Sequence, residues 1–400
     1  MDGPPIENGA VAISGDRIDD VGKFSDISKR YSDQELVDLG EQTLLPGLIN
    51  AHCHLDYTCL RGKIPRQASF TDWIRAINAE KAKLSPEDYV ASINEGFAEA
   101  KRFGTTTIAN LTAFPKLVSR IQSPLRTWWF AELIDVRDPS CANEIVDAAL
   151  EQLKATEDWG LAPHSPFTAS ENLYRCCEEI ARREHVLLTT HLAESLEEMS
   201  MFRSASGPLY EFLKEIGRDM SDCGNETPLH RFSEVVRDSS TSVGMTESWI
   251  LAHLNELGRS DFDLLERSRK AFSIVHCPRS HDYFGHSPFQ FHKLRELEFK
   301  ICLGTDSLAS NDDLSLFAEM RAFQKKFPDV SPEEIFKMVT INGARALRQE
   351  NSLGQIRSGS SADLIAVPVT RSTSAFEEIV AFDDQAVSWS MVGGRVQNSA

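Results

Sequence analysis

Two histidines one residue apart close the stretch Leu44-Leu45-Pro46-Gly47-Leu48-Ile49-Asn50-Ala51-His52-Cys53-His54. Side chains on a strand alternate faces. His52 and His54 therefore share a face if the strand runs through them, and Cys53 faces the other way, where packing is its ordinary role. Two neutral imidazoles on one face of a strand end make half of a metal site. The bland alternative is two surface histidines in a loop. More such groups recur along the chain: His164 in Ala162-Pro163-His164-Ser165, His191 and Glu194 in His191-Leu192-Ala193-Glu194, His253 after Leu251-Ala252, His276 in His276-Cys277-Pro278, and Asp306 in Leu303-Gly304-Thr305-Asp306. Each has a plainer reading. Glu194 could be a helix-start carboxylate favoured by the dipole, His253 and His276 could be hydrogen-bonded core residues, and His164 could order a loop. Signatures of other hydrolases are missing: no H-E-x-x-H, no P-loop, no G-x-S-x-G, and no H-x-E with P-C-x-x-C.

The elements that must carry these residues alternate. Apolar, β-rich runs fall at 47–52, 105–110, 128–134, 159–163, 186–191, 249–253, 272–276 and 301–306. Helical patterns lie between them at 86–103, 143–154, 171–184, 196–214, 261–270, 288–298 and 314–327, with only a weak segment around 114–121. Eight strands alternating with helices predict an α/β chain with a (β/α)8 barrel, the alternative being a doubly wound open sheet. Barrel active sites gather at the C-terminal ends of strands. Six of the eleven histidines stand at such ends, which random placement does not produce. Both termini are β-rich, over 9–46 and in the last fifty residues, with a hairpin signal at Gly15-Asp16. The expected organisation is a catalytic barrel at 47–350 and a small β-sandwich domain composed of 1–46 and 351–400.

Composition narrows the partners. A formal charge of −18 over 400 residues disfavours phosphate backbones and anionic lipid. No apolar run approaches the roughly 20 residues that span a bilayer. The first residues are neither basic nor apolar, and the eight cysteines form no C-x-x-C. Together these predict a cytoplasmic protein with reduced thiols and a small-molecule substrate.

The ordered set Pro-Gly-Leu-Ile-Asn-Ala-His-Cys-His, His-Leu-Ala-Glu, Ala-His-Leu, His-Cys-Pro and Leu-Gly-Thr-Asp resembles the amidohydrolase superfamily of metal-dependent hydrolases. More narrowly it is similar to the branch of cytosine, guanine and S-adenosylhomocysteine deaminases and triazine chlorohydrolases. The resemblance covers nearly the whole chain. It implies that His52, His54, His191 and Asp306 bind one divalent metal. Three nitrogens and one hard oxygen suit Zn²⁺, with Fe²⁺ as the second choice. It implies that Glu194 shuttles protons and that His253, with Asp306, takes the proton of the attacking water. Binuclear relatives carry a lysine at the end of strand four. His164 stands there, so one metal is expected and His164 is read as a substrate contact.

For the substrate, Phe70-Thr71-Asp72-Trp73 is similar to a segment that places a tryptophan on the ligand in nucleoside deaminases, although an amphipathic helix burying Trp73 would look the same. Pro278-Arg279-Ser280-His281 and Asp306-Ser307-Leu308-Ala309 look closest to aminodeoxyfutalosine deaminases. That likeness implies that Arg279 or His281 pairs with a substrate carboxylate, with Ser307 a further contact, although a surface arginine would look the same at 279. The expectation is hydrolytic deamination of the adenine ring of a 5′-modified nucleoside: aminodeoxyfutalosine first, S-adenosylhomocysteine or methylthioadenosine next. The alternatives are a guanine- or cytosine-type deaminase or a chlorohydrolase, and, less favoured, a non-catalytic scaffold. A homodimer is compatible with all of these.

Overall fold

The structure is a computed structural model and describes residues 5–236, 249–268, 272–368, 374–383 and 386–397. Fourteen strands are present among them. They are β1 (Gly9–Ser14), β2 (Arg17–Lys23), β3 (Gln42–Pro46), β4 (Leu48–Cys53), β5 (Thr105–Thr112), β6 (Arg126–Leu133), β7 (Trp159–Pro163), β8 (Leu187–Leu192), β9 (Trp249–His253), β10 (Phe272–His276), β11 (Ile301–Leu303), β12 (Leu364–Pro368), β13 (Trp389–Val392) and β14 (Arg395–Gln397).

Strands β4 to β11 form one parallel sheet in chain order. The sheet closes on itself. Cys53 bridges Asp306 in parallel, and the N–H groups of Thr305 and Asp306 both donate to the His52 carbonyl at 3.1 Å. Closure depends on Gly304, where a Cβ would lie 2.7 Å from the His52 carbonyl oxygen. Only a residue without a side chain lets the end of β11 run this close to β4. This is the expected (β/α)8 barrel. Its interior is filled by Ile49, Ala109, Leu111, Trp128, Phe130, Ala162, Leu187, Ile250, Val275 and Cys302. The larger apolar layer between strands and outer helices runs through Leu48, Phe97, Trp129, Leu188 and Phe336.

The termini meet as anticipated. β3 pairs antiparallel with β12, β12 with β13, and β13 with β14. The β1–β2 hairpin packs on this sheet through Ile18, Leu364 and Met391, with Val11 and Ile13 beside them. The segment 9–46 is not wholly β, because Phe24–Arg30 is a helix. Its acidic Asp26 at the start and basic Lys29 and Arg30 at the end suit the helix dipole.

Further boundaries differ from expectation, among them the run 288–298, which is helical only over Phe291–Glu296. The run 196–214 is two helices, Leu196–Ser204 and Pro208–Glu215. Gly207, at φ +101°, breaks it ahead of Pro208, whose ring disfavours helical backbone in the preceding residue. The helix placed at 261–270 runs Arg259–Arg267; positions 269–270 lie outside the described residues. Among the described residues no helix is long and apolar enough to cross a membrane.

Candidate functional site

The strand ends deliver their side chains to one point at the C-terminal mouth of the barrel. The rings of His52 and His54 lie 5.0 Å apart, those of His52 and His191 4.9 Å, and those of His191 and His253 5.4 Å. Nε2 of His54 is 3.1 Å from Nε2 of His191. Oδ1 of Asp306 is 3.8 Å from Nε2 of both His52 and His54. Backbone conformation aims some of these groups. His253 at φ +76°, Asp306 at +56° and Ala193 at +50° all occupy the left-handed region. Non-glycine residues rarely sit there, and such strain collects at functional sites.

The nitrogens are in the state a cation needs. Nδ1 of His191 donates to the His164 carbonyl oxygen at 2.9 Å, so its Nε2 is the bare acceptor. Both ring nitrogens of His52 and Nε2 of His253 are buried without a hydrogen-bond partner. Burial, together with the neighbouring imidazoles, pushes the His52, His54 and His253 rings well below their ordinary pKa. They stay neutral, the form that ligates metal. Apposed acceptor nitrogens and a buried carboxylate are costly unless a cation lies among them. Three imidazoles and Asp306 therefore fit a divalent metal.

Asp306 is itself held. Its Oδ2 accepts from Ser280 Oγ at 2.6 Å, and its Oδ1 from the Ser307 N–H at 2.8 Å. Burial pushes this carboxyl up, and these donors work against that. Asn50 joins the first and last strands of the barrel below it, donating to Thr305 Oγ1 at 2.8 Å.

Glu194 stands beside the cluster without joining the tight nitrogen set. Its Oε1 is 3.8 Å from Nε2 of His253. Burial, with the Asp306 and Glu198 carboxylates nearby, holds its carboxyl well above the usual range. Glu194 is thus poised as a proton donor. Its backbone is fixed by Glu198, which accepts from the N–H groups of Ala193 at 3.2 Å and Glu194 at 2.7 Å. Asn255 Nδ2 donates to the Glu194 carbonyl at 3.1 Å.

The residues assigned to substrate divide. His164 is at the site, its ring 4.8 Å from that of His191. Its Nδ1 is engaged by Thr168 Oγ1 at 2.6 Å. Trp73 lines a cavity of about 170 Å³ with Phe70, Ser195, Glu256, Phe284 and His286. Its ring meets Phe284 at 4.9 Å and Phe70 at 6.0 Å, so it is both a wall of this cavity and part of an aromatic core. Ser307 serves Asp306 through its main chain.

Arg279 has partners of its own within the protein. Its guanidinium is paired with Asp313 at 2.5 Å and Asp312 at 3.2 Å. Its N–H donates to Glu319 at 3.0 Å, and Glu319 also accepts from Asn311. A guanidinium engaged in this way braces the loop after β11, and a substrate carboxylate would have to compete with Asp312 and Asp313 for it. His276 also lies outside the cluster, stacked on Phe289 at 3.9 Å.

Four contributors escaped the sequence reading: Asn50, Glu132, Glu198 and Ser280. Glu132 carried a visible signal. It is an acid at the C-terminal end of an apolar strand, two residues beyond Phe130. Its Oε1 is 3.8 Å from Nδ1 of His54.

Known proteins resemble the chain throughout. It is 29% identical over 384 residues to a 5-methylthioadenosine/S-adenosylhomocysteine deaminase from Syntrophobacter fumaroxidans, covering 92% of this chain and 81% of that one. Aminofutalosine deaminase of Helicobacter pylori, solved with methylthio-coformycin, shares the fold at a TM-score of 0.85 and 21% identity, covering 98% and 96% of the two chains. A zinc-bound adenosine deaminase from Xanthomonas campestris does so at 0.79 and 22%, covering 98% and 88%. The model of the amidohydrolase family matches residues 43–396, which takes in every strand of the barrel and every group of the cluster. On that match and this architecture, the chain belongs to the amidohydrolase family.

Proposed function

We propose that this protein is a mononuclear metal-dependent hydrolase that deaminates the adenine ring of a 5′-modified nucleoside and releases ammonia. His52, His54, His191 and Asp306 would hold the metal, with Zn²⁺ the best match to three imidazoles and one carboxylate and Fe²⁺ the second. The chemistry such a metal supplies is activation of water for attack at neutral pH. The observation that carries the reading is Glu194, a buried carboxyl held above its usual range and 3.8 Å from His253 at the rim of the cluster.

The chain's own groups divide the proton work. Water adds its oxygen to the ring carbon bearing the amino group, and its proton passes to His253 and Asp306. Glu194 protonates the adjacent ring nitrogen, which draws electrons from that carbon. A proton then reaches the amino nitrogen through Glu194, the C–N bond breaks with its electron pair leaving on ammonia, and a hypoxanthine ring remains. His164, beside His191, would hold the sugar side, and Trp73, in the cavity with Phe70 and Phe284, would take the 5′ extension. The barrel of 47–350 carries the chemistry, and the sheet assembled from 1–46 and 351–400 braces it.

Support for an adenine nucleoside comes from relatives named for 5-methylthioadenosine and S-adenosylhomocysteine at 29% and 26% identity. A carboxylate on the 5′ extension would have to compete for Arg279 with Asp312 and Asp313. The cavity lined by Phe70, Trp73 and Phe284 also carries Glu197 and Glu256, two acidic side chains that disfavour a further carboxylate more than a neutral thioether. The metal-loaded protein should therefore turn over methylthioadenosine at least as well as a carboxylate-bearing analogue, and both faster than guanine, cytosine or a chlorotriazine. Ammonia release across that panel tests the reading. A chlorotriazine or guanine ranking first would sink it.

A further inference from the structure

We infer that Glu132 is a positioning residue that fixes the tautomer and orientation of His54, so that the His54 Nε2 lone pair points into the metal cluster. The inference rests on the metal-site reading above, but not on the identity of the substrate.

The two nitrogens of His54 have different surroundings. Nε2 faces inward, 3.1 Å from His191 Nε2 and 3.8 Å from Asp306 Oδ1. Nδ1 points away from the cluster, towards Glu132 Oε1 at 3.8 Å. A neutral imidazole carries its proton on one nitrogen only. If Nε2 holds it, the lone pair is lost to the cluster. His191 settles this choice through the His164 carbonyl, which takes its Nδ1 proton at 2.9 Å. The corresponding acceptor for His54 is the Glu132 carboxylate.

Glu132 is built for that task. It continues the inward face of β6 above Trp128 and Phe130, which lie in the barrel interior. Its side chain is 5% exposed. A carboxylate so enclosed is costly unless a donor reaches it. Among the polar groups near it are the His54 and His191 rings, the Tyr57 hydroxyl and Asp56. Lys81 Nζ sits 4.6 Å over the Tyr57 ring, and that ring stacks on His54 at 5.9 Å. The Tyr57 hydroxyl is buried without a partner. Of the cluster residues, His54 and His191 both come near the carboxylate, but Nδ1 of His191 is already taken by the His164 carbonyl, which leaves Nδ1 of His54 as the nitrogen for Glu132. A carboxylate behind a ligating imidazole also raises that ligand's basicity. A separation of 3.8 Å is too long for a hydrogen bond. We infer that it closes to hydrogen-bond length when His54 serves as a ligand, and the variants below test this.

The test is the affinity of the metal-free protein for Zn²⁺, read by competition with a chromophoric chelator. Glu132→Ala should bind about 10–100-fold more weakly than wild type, the usual loss when such a support is removed. Glu132→Gln should recover most of that loss, because its side-chain oxygen still accepts from Nδ1–H. The His54 tautomer, followed by nitrogen-15 NMR of histidine-labelled metal-free protein, should shift away from the Nδ1–H form in the alanine variant only. Melting of the metal-free proteins checks folding, and Glu132→Met, closer in volume and without an acceptor, replaces the alanine variant if that one does not fold. Zn²⁺ bound as tightly by the alanine or methionine variant as by wild type would overturn the assignment. So would a variant that holds metal normally and suffers only a raised KM, which would make Glu132 a substrate contact. A failed substrate panel would leave these outcomes untouched.

Discussion

At the residue scale, His191 and Glu194 separate two kinds of work within four positions of one strand end. His191 offers a bare Nε2 because its Nδ1 proton goes to a main-chain carbonyl. His191→Ala should therefore lose the metal rather than merely slow turnover, and elemental analysis after dialysis reads this directly. Glu194 has the opposite character. Glu194→Gln keeps volume and metal but cannot move a proton. Its turnover should fall by about 10²–10⁴, the usual contribution of a general acid–base group. Near-full activity with metal in place would remove Glu194 from the mechanism.

His276 offers a test of burial alone. Burial, with His281 and His286 nearby, depresses its pKa. The folded protein keeps this ring neutral, while the unfolded chain protonates it below about 6.5. Folding then excludes a proton that the unfolded state binds, so its contribution to stability falls as pH drops below that value. His276→Phe lacks this term. Denaturant titrations from pH 7 to 5 should show the variant gaining on wild type as the pH falls. A constant difference would show that the ring is not held neutral.

Which residues were readable from sequence follows from how local their signals are. The metal-site candidates announce themselves because a strand end fixes direction and two imidazoles one residue apart are unusual. The partners of Arg279 were not legible because they are Asp312 and Asp313, more than thirty positions away. No local pattern says that a cation is already neutralised. Glu132 and Glu198 were passed over for a related reason. Single acids near apolar runs are common, and their roles appear only once other strands are brought alongside.

At the element scale, the helix Phe70–Lys81 shows how a loop after the first barrel strand is fixed over the mouth. Ser69 Oγ caps it by accepting from the Asp72 N–H at 3.0 Å. Glu197, in the first turn of the helix Leu196–Ser204 that follows β8, accepts from the N–H groups of Phe70 at 2.9 Å and Thr71 at 3.1 Å, and from the Thr71 hydroxyl. The segment carrying Glu194 and the segment carrying Trp73 are thereby tied together. Glu197→Ala should cost about 1–3 kcal/mol of stability, from hydrogen bonds to a charged group. It should raise KM several-fold with little change in kcat, because Trp73 moves and the proton chemistry does not. An unchanged KM would detach this helix from substrate binding. Element types were legible because period-two and helical patterns are strong over these lengths. Boundaries were less so. The break at Gly207-Pro208 is a backbone event inside a continuous apolar pattern. The helix at Phe24–Arg30 is too short for periodicity to distinguish from the strands around it.

At the scale of the whole molecule, closure of the barrel makes the site. His52 and Asp306 are 254 positions apart in sequence, yet the last barrel strand hydrogen-bonds to the first through the His52 carbonyl. Gly304 permits that approach, and Asn50 locks it. The alternation of eight strands with helices made the barrel legible. Which strands close it, and through which atoms, depends on contacts between the chain's two ends. The central claim, that this closed cluster and Glu194 together deaminate an adenine ring, is tested most directly by mixing the Zn²⁺-loaded protein with methylthioadenosine and following ammonia and ultraviolet absorbance together. The account predicts one ammonia per hypoxanthine nucleoside formed, activity lost on chelation and restored by Zn²⁺, and none from Glu194→Gln beyond the residual rate given above. Conversion that persists in the chelated protein, or a loaded protein that releases no ammonia from any adenine nucleoside, would contradict it.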